Sequence, residues 1–364
     1  MESHSQYISS TYVDTRLLVS ESCFRTAMAS LSKSYLDLVN DCDRYLMHTS
    51  EQLKLLTIYS SLPYDEPLQA PREHWSTLYR FFLPEDSRPH GLMLPEIVKK
   101  MPWTSDFHVD HTARAVHLKP EDTTSDLSTS CTNAFSKLIQ RSIDQDNFIV
   151  IHKRHSEHYP IVGYKHPVKF ERYAGNLFGF VSRGAHLTVH SNTKDGMKIW
   201  VPRRSAHLFT YPNCLDTTVA GGVPAGEGPF ECIVREADEE ASLAEDLVRR
   251  EAKACGCITY VGLTDPRGNG EQGLLSSDLI YVYDLELPEG VGCRQNDDEV
   301  KEFHLMSIEE VKQGLRAGEF KTNSALVMID FFIRHGIIKS EEEKHYTEIM
   351  ARLHRKLPLP TAAE

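Results

Sequence analysis

Three glutamates with helical spacing lie in the segment 229–241. On a helix, Glu236, Glu239 and Glu240 share one face, because residues three or four positions apart lie side by side. Carboxylates this close repel one another, and Mg²⁺ binds such oxygen ligands while it also binds substrate phosphates. The spacing therefore indicates a metal site that serves phosphate chemistry. A solvated acidic helix face, which is common in proteins, is the alternative.

The sequence on both sides of these glutamates predicts the elements that position them. An apolar segment that runs into Gly221 predicts a strand, and Pro229 suits the first turn of a helix, where its missing N–H costs nothing. Apolar residues form the opposite stripe of that helix and face a core, at positions 230, 233, 234, 237 and 241. We therefore predict a strand, a glycine-rich loop and a helix over 228–241 that presents the carboxylates.

The fixed positions of this segment resemble the Nudix box, a motif of glycine, glutamate, arginine and paired glutamates at set spacings. The matching residues are Gly221, Glu227, Arg235, Glu236, Ala237, Glu239, Glu240 and Leu243. Ser242 departs from the motif, which usually has glycine where the helix ends in a left-handed conformation. We expect activity to tolerate Ser242, since this position contacts no ligand.

The resemblance to the Nudix family implies a role for each of these residues. The implied metal ligands are Glu236, Glu239, Glu240 and the carbonyl oxygen of Gly221. The implied metal is Mg²⁺, with Mn²⁺ as the alternative. A structural ion pair is implied between Glu227 and Arg235. The implied reaction is attack of water on phosphorus, in which the metal neutralises phosphate oxygens and a carboxylate acts as base.

Charged residues outside the box are candidates for binding phosphate or for the base. Arg203 and Arg204 end a strand before the box, and one of them would hold the distal phosphate; a surface pair is the alternative. Glu299 and Glu302 lie in an acidic segment where Nudix proteins often have a further ligand or the base; a solvated loop is the alternative. The glycine-rich loop 265–273 is either a lid or an ordinary hairpin.

The order of elements predicts an α/β protein. After residue 165, strands and helices follow one another in the manner of a mixed sheet, and the resemblance implies the Nudix α/β/α sandwich, preceded by a smaller α+β accessory domain. The predicted divisions are a polar segment at 1–30, the accessory domain at 31–160, the Nudix domain at 161–345, and a C-terminal helix and tail at 346–364. Apolar residues predict strands at 148–151 and 177–181, and helical spacing covers 34–61.

Further residues are similar to a fungal and plant Nudix group related to the Nudix half of thiamine pyrophosphokinase fusion proteins. They lie at 35–40, 82–84, 88–91, 101–103, 200–205, 239–243, 281–288 and 330–336, and the similarity covers 34–357. This resemblance implies that oxidised, damaged thiamine diphosphate is cleaved to the monophosphate and phosphate. The chain departs from the group at 206–211, where a lysine is usual. Another organic diphosphate, such as a prenyl diphosphate, and a non-catalytic binding module are the alternatives.

The composition bounds the choice of partners. A net charge of −12 over 364 residues argues against a general nucleic-acid or anionic-membrane binder, which needs a basic surface. No apolar segment approaches the ~20 residues of a membrane span. Eight scattered cysteines and no recognisable signal or transit peptide predict reduced thiols and a cytoplasmic protein. We expect a small-molecule diphosphate as the partner, and the sequence leaves the oligomeric state open.

Overall fold

A mixed six-stranded sheet lies at the centre of the part of the fold that contains Glu236, Glu239 and Glu240. The computed structural model describes residues 32–43 and 77–364, except residues 152, 154, 265, 269 and 289. The helical pattern predicted beyond residue 43 lies outside the described residues. Within them, the fold is the expected α/β arrangement with a mixed sheet, so the predicted fold class is confirmed.

Strands and helices are numbered in chain order. The strands are β1 (Tyr79–Phe82), β2 (Pro89–Met93), β3 (Phe107–Asp110), β4 (Ala115–Leu118), β5 (His158–Pro160), β6 (Lys169–Glu171), β7 (Val181–Thr193), β8 (Gly196–Arg204), β9 (Val219–Gly222), β10 (Lys253–Leu263), β11 (Leu275–Glu286) and β12 (Val300–Ser307). The helices are α1 (Tyr35–Cys42), α2 (Pro95–Lys100), α3 (Leu127–Asp144), α4 (Gly175–Phe178), α5 (Pro229–Ala241), α6 (Glu245–Glu251), α7 (Ile308–Arg316), α8 (Thr322–Arg334) and α9 (Tyr346–Leu353).

The six-stranded sheet has the order β10-β11-β7-β8-β12, and β9 pairs with β7 beside β8. Strands β11 and β7 are parallel, and the other neighbours are antiparallel. Helices α5 and α6 pack on one face through residues such as Leu187 and Ile233. Helices α1, α7 and α8 pack on the other face through residues such as Ile280 and Phe332. The result is three layers, with a helical layer on each side of the sheet.

A second, four-stranded sheet with the order β2-β1-β4-β3 precedes the sandwich. Helix α3 covers it, and their core is built on the aromatic rings of Phe81, Phe135, Phe178 and Phe180. The described residues from Lys33 to Glu364 form one compact unit, and α1 packs in the core of the sandwich although it precedes the smaller sheet in the chain. The domain division at residue 160 stays a prediction.

Local sequence explains where helix α5 begins and ends. Gly228 is the residue before the helix and Pro229 opens it, a position where proline already has the required φ. The helix ends at Ser242, which adopts the left-handed conformation with φ 52°. The N–H of Ser242 donates to the Asp238 oxygen and that of Leu243 to the Ala237 oxygen, so the last turn is closed in the usual way for such an ending.

Two strand predictions are wrong. Residues 148–151 contain no strand, and 149–151 form a turn, because the N–H groups of Ile149 and Val150 donate to the Glu271 carboxylate instead of to a strand. The segment 177–181 is divided between α4 and the first residue of β7. Gly179 separates them with φ 62°, and a Cβ there would lie 2.0 Å from the Leu92 oxygen. Apolar residues alone predicted strands at both places, and neither backbone supports one.

None of the helices in the described part of the chain combines the length and apolar content that a membrane-crossing segment needs.

Tyr159 of β5 meets the sandwich at Gly222 of β9. A methyl group on Gly222 would lie 1.3 Å from the Tyr159 hydroxyl oxygen, so Gly222→Ala is expected to lower the free energy of unfolding by about 1–3 kcal/mol through overpacking. Chemical denaturation measures the loss. The control is Gly184→Ala, since Gly184 pairs with Gly222 and a Cβ there would meet its nearest atom at 3.4 Å.

Adding Tyr159→Phe to Gly222→Ala removes the atom that clashes and should recover part of the stability. If Gly222→Ala and Gly184→Ala are equally stable, the close contact between Tyr159 and β9 does not exist in solution.

Candidate active site

Of the three glutamates that share one face of α5, Glu236 and Glu240 lie against strand β9. The Glu240 carboxylate is buried and accepts a hydrogen bond of 3.0 Å from the N–H of Ala220. Glu236 packs on Gly221 so closely that a Cβ on this glycine would lie 2.5 Å from Glu236 Cγ. Glycine at position 221 is therefore required by the carboxylate. Glu239, one turn away from Glu236, is exposed.

Arg235 connects the carboxylates of the loop and the helix. Its guanidinium pairs with Glu227 at 3.1 Å, with Glu236 at 3.0 Å and with Glu239 at 2.8 Å. The Glu227–Arg235 pair lies where the box resemblance implied a structural ion pair. The contact orients the loop 223–228 on the helix, and it also holds Glu239 and Glu236 in a fixed arrangement.

The electrostatics of the site are unfavourable for two buried negative charges. Burial raises the pKa of Glu236 to about 7; the Arg235 charge opposes this shift, and repulsion from Glu239 adds to it. Burial also raises the pKa of Glu240 well above its usual range, with repulsion from Glu236 as the next cause. Asp216 and Glu299 add further repulsion at Glu240. Such repulsion is what a bound divalent cation would remove.

Glu299 and Glu302, the two candidate glutamates that follow the box in the sequence, lie at different distances from the site. Glu299 is exposed, yet with Glu240, Arg204 and Asp216 it lines a small cavity of about 10 Å³, and its charge raises the pKa of Glu240. Glu302 instead pairs with Lys301 at 3.5 Å and with His304 at 3.7 Å. Of these two candidates, the structure brings only Glu299 towards the helix carboxylates.

The two arginines predicted to hold phosphate make contacts within the protein. Arg203 donates to the Asn213 oxygen at 2.9 Å and lies 3.6 Å from the Glu319 carboxylate. Arg204 pairs with Asp216 at 3.2 Å, and its Nε is a buried donor without a protein partner in the described structure. Arg204 is therefore near the site, whereas Arg203 is held away from it by Glu319.

A cavity of about 330 Å³ opens on the other side of β9 from α5. Its wall includes Ala220, Gly221 and Gly222, and three cations line it as well. These cations are Arg172, Arg183 and Lys321.

Each of the three cations is held by a different part of the fold. Arg183 donates to the Pro224 and Glu227 oxygens at 3.2 and 3.1 Å, and its Nε has no partner among the described residues. Lys321 lies 3.7 Å from Asp216. Burial lowers the pKa of this lysine, and the charge of Asp216 opposes the shift. Arg172 lies over the Tyr159 ring at 5.4 Å and pairs with Glu157.

The loop 264–273 forms part of the cavity wall through Gly268, Gly270 and Glu271. Glu271 holds this loop to the turn at 149–151, since its two oxygens accept from Ile149 N at 2.6 Å and from Val150 N at 2.9 Å. On the other side, Arg267 accepts from Tyr211 N at 3.1 Å through its carbonyl oxygen. The loop is thus attached to two other segments of the cavity wall, and whether it acts as a lid stays a prediction.

Replacing Glu271 with alanine should release this attachment. Two hydrogen bonds to a charged acceptor are lost, each worth about 1.5–3 kcal/mol, so the amides of residues 149 and 150 should exchange with deuterium at least about 10-fold faster. Hydrogen exchange followed by mass spectrometry measures this directly. Glu342→Ala, which removes an exposed carboxylate paired with Lys339, should leave those amides unchanged. Equal exchange in the Glu271→Ala variant and the parent would show that the attachment is absent in solution.

Comparisons with known proteins match the part of the chain that contains these residues. The family described as the NUDIX domain matches residues 183–326, which include β7, β9, α5 and the cations Arg183 and Lys321. An uncharacterized Nudix hydrolase of Nostoc, all7351, is 39% identical over 135 residues, which are 37% of this chain and 71% of that protein. The chain belongs to the Nudix hydrolase family. It is therefore by class a hydrolase that acts on diphosphates.

Two eukaryotic relatives match over a longer part of the chain. The uncharacterized protein YJR142W of Saccharomyces cerevisiae is 34% identical over 262 residues, 70% of this chain and 75% of that protein. Nudix hydrolase 20, chloroplastic, of Arabidopsis thaliana is 34% identical over 206 residues, 55% of this chain and 52% of that protein. This Nudix chain thus spans about half the length of the plant relative. Among solved structures, the Nudix domain of Shewanella oneidensis NrtR in complex with ADP ribose is 12% identical, covers 43% of this chain and 88% of that chain, and has a TM-score of 0.32.

The donor set of this Nudix site fits a hard divalent cation. Glu236 and Glu240 offer buried carboxylate oxygens that repel each other, and magnesium takes oxygen ligands of this kind. In the described part of the chain, no three acidic, histidine or cysteine side chains already surround a common metal position. The reason is visible at Arg235, which draws Glu236 and Glu239 into ion pairs. Binding a metal would require Glu239 to exchange its contact with Arg235 for the cation.

Sequence reasoning missed the cations of the Nudix cavity. The group that the sequence resembles usually has a lysine at 206–211, and this chain lacks one there. The structure instead brings Lys321 to the cavity from the residue before α8. Arg183 lies near the start of β7, and neither residue has a local spacing that marks it. The missing lysine was the one available signal, because a diphosphate site needs cations from some other part of the chain.

Proposed function

We propose that this Nudix hydrolase cleaves oxidised thiamine diphosphate to the monophosphate and phosphate, with Mg²⁺, or alternatively Mn²⁺, as the cofactor. One observation carries the proposal: the backbone of β9 lies between the carboxylates of α5 and a cavity whose lining includes cations. Glu240 and Glu236 contact Ala220 and Gly221 from α5, and the cavity that these residues line also contains Arg183 and Lys321.

The absence of side chains on β9 between the carboxylates and the cavity makes this arrangement suitable for a diphosphate. Among the described strands β9 pairs only with β7, and its other edge faces α5, where the Ala220 N–H donates to Glu240 and the Gly222 oxygen accepts from Cys232 Sγ. Gly221 and Gly222 carry no side chains, and only backbone therefore separates the carboxylates from the cavity. A diphosphate bound over this backbone would have guanidinium and ammonium groups on one side and the acidic helix on the other. Guanidinium groups are well suited to phosphate oxygens because they donate two hydrogen bonds in one plane.

The residues of the chain would divide the work as follows. Glu236 and Glu240 would hold the metal, together with the Gly221 carbonyl oxygen and Glu239. The bound metal would neutralise phosphate oxygens and acidify water. Arg183, which lines the cavity and is held at the start of α5 by the Pro224 and Glu227 oxygens, would bind a phosphate oxygen. Glu299, exposed beside Glu240, would accept the proton of the attacking water.

The choice of oxidised thiamine diphosphate rests on the similarity of residues 35–40, 200–205 and 281–288 to the fungal and plant Nudix group. The relationship of that group to thiamine pyrophosphokinase fusions is part of the proposal. The cytoplasm stays the predicted compartment; "chloroplastic" is said of the Arabidopsis relative.

A panel of diphosphates tests the proposal. Phosphate release is measured with Mg²⁺ from thiamine diphosphate, its oxidised forms, dimethylallyl diphosphate and farnesyl diphosphate, and AMP release is measured from ADP-ribose and NADH, whose cleavage frees no inorganic phosphate. We expect kcat/KM to be highest for an oxidised thiamine diphosphate and to vanish with a chelator. A preference for a prenyl diphosphate would contradict the thiamine assignment and keep the diphosphatase. No turnover of any compound, with intact binding, would favour a binding module.

A further inference from the structure

The large cavity is also lined by a carboxylate that has no role in the proposed binding of the diphosphate. Asp278 of β11 lines the cavity together with Tyr260 and Ser182. In the sheet, Tyr260 and Ser182 are the cross-strand partners of Asp278 on its two sides. The three side chains therefore form one row on the cavity face of the sheet.

The partners of Asp278 are hydroxyl groups. Ser276 Oγ donates to its carboxylate at 2.6 Å, and the hydroxyls of Tyr260 and Ser182 bond to it as well. Its carboxylate is partly exposed to the cavity, and among the described residues it has no ion-pair partner within 4.0 Å. Burial raises the pKa of Asp278 to about 6, because hydroxyl donors and the more distant Lys321 offset it incompletely.

The position of Asp278 relative to β9 sets the size of a ligand that reaches both. Asp278 pairs with Ser182, and Gly222 pairs with Gly184 two residues further along β7. The two positions are thus two strand spacings apart across the sheet and two residues apart along it, which corresponds to about 12 Å between their Cα atoms. This span suits a diphosphate at Gly222 that a short linker joins to a ring at Asp278.

We propose that Asp278 is a specificity-determining residue that binds an amino-substituted or positively charged heteroaromatic ring of the substrate. The ring would donate N–H groups to the carboxylate, and the aromatic side chain of Tyr260 lies beside the same position. The carboxylate would disfavour anionic and purely aliphatic groups. This inference rests on the proposed function for the location of the diphosphate, but binding of the ring does not depend on turnover.

The test compares two diphosphates in two variants. Thiamine diphosphate carries an amino group and a ring cation, and dimethylallyl diphosphate carries neither. We expect Asp278→Asn to raise KM for thiamine diphosphate at least about 10-fold, as the loss of a charged hydrogen bond does. The KM for dimethylallyl diphosphate should change by less than about twofold. The matched control is Asp284→Asn, on the same strand and bound to Arg334 outside the cavity. It should leave the ratio of the two KM values unchanged.

Calorimetry on the parent protein provides a second arm that needs no variant. The parent should bind thiamine diphosphate at least about 10-fold more tightly than an analogue whose pyrimidine amino group is replaced by hydrogen. Equal affinities for thiamine diphosphate and the analogue would overturn the proposal. So would an Asp278→Asn variant whose KM rises equally for both diphosphates or for neither. Asp278 would then serve only to hold three strands together. Selective binding without phosphate release would instead overturn the proposed function and leave the ring site standing.

Discussion

Replacing Glu240 with glutamine should abolish phosphate release without harming the fold. We expect turnover to fall at least about 100-fold, more than the loss caused by removing a residue that only orients a metal ligand. Glutamine keeps the shape of the side chain, and its amide oxygen can still accept from the N–H of Ala220. Phosphate release and circular dichroism of the purified variant test the two statements together.

The same substitution should change stability in the direction opposite to that expected for a glutamate held in an ion pair. Burial raises the pKa of Glu240, so in the metal-free protein its ionised form opposes folding, and this cost grows as pH rises above the usual glutamate range. Glu240→Gln should therefore melt at the same or a higher temperature without metal at pH 8. Metal at 100 times its Kd should stabilise the parent by about 2.7 kcal/mol and the variant by much less.

The control for these measurements is Glu245→Gln, at the exposed start of α6, where the carboxylate pairs with Arg249 at 2.7 Å. It removes the same charge outside the site and should keep the turnover and the metal-dependent melting of the parent. A Glu240→Gln variant that is as active as Glu245→Gln would show that Glu240 does not hold the metal.

Removing Asp216 should cost the protein a large part of its stability. Its buried carboxylate pairs with Arg204 at 3.2 Å and with Lys321 at 3.7 Å, and it accepts from the Thr217 N–H at 2.8 Å. Asp216→Ala leaves two cations without their anion, and breaking a buried pair costs about 3–5 kcal/mol. Urea unfolding at pH 7 measures this loss, with Asp195→Ala in an exposed turn as the control.

The stability that Asp216 supplies should depend on pH with a definite sign. Burial alone would raise its pKa, but the charges of Lys321 and Arg204 hold the pKa at about 2, below the ordinary 3.8. A lowered pKa in the folded state means that the contribution is complete above pH 3.8 and is lost as pH falls towards 2. The difference between the parent and Asp216→Ala should shrink in that range. A loss below about 1 kcal/mol at pH 7, typical of an exposed pair, would contradict the buried contribution of Asp216.

The helix of the active site could be predicted because its information is local. The spacing of Glu236 and Glu240, the position of Pro229 and the apolar stripe all lie within one segment, and the structure has α5 at Pro229–Ala241. The left-handed ending that the motif usually gives to a glycine is present as well, since Ser242 has φ 52°. Short-range rules of capping and periodicity suffice for such features.

The cavity could not be predicted, because its wall is assembled from distant parts of the chain. Arg183, Asp278 and Lys321 meet only through strand order and through the packing of α8. The turn at 149–151 shows the same limit, since its apolar residues predict a strand until Glu271, more than a hundred residues later, takes its N–H groups. Contacts of this kind leave no periodic pattern in the sequence.

The arginine pair at the end of β8 illustrates how a local pattern misleads. Side chains at successive strand positions point to opposite faces, so Arg203 and Arg204 cannot both face the site. Arg203 contacts Asn213 and Glu319, and Arg204 contacts Asp216. Two adjacent arginines near the box indicated phosphate binding because arginine commonly binds phosphate. The cations that line the cavity are instead residues such as Arg183 and Lys321.

The metal that we propose is bound by the glutamates of α5 is central to the proposed cleavage of the diphosphate. Titrating Mn²⁺ while following both its binding by electron paramagnetic resonance and phosphate release from oxidised thiamine diphosphate tests this role most directly. We expect both curves to reach half-saturation at the same Mn²⁺ concentration in the parent and both to vanish in Glu240→Gln. Mn²⁺ binding that is equal in the parent and in Glu240→Gln, or phosphate release that persists with a chelator, would contradict it.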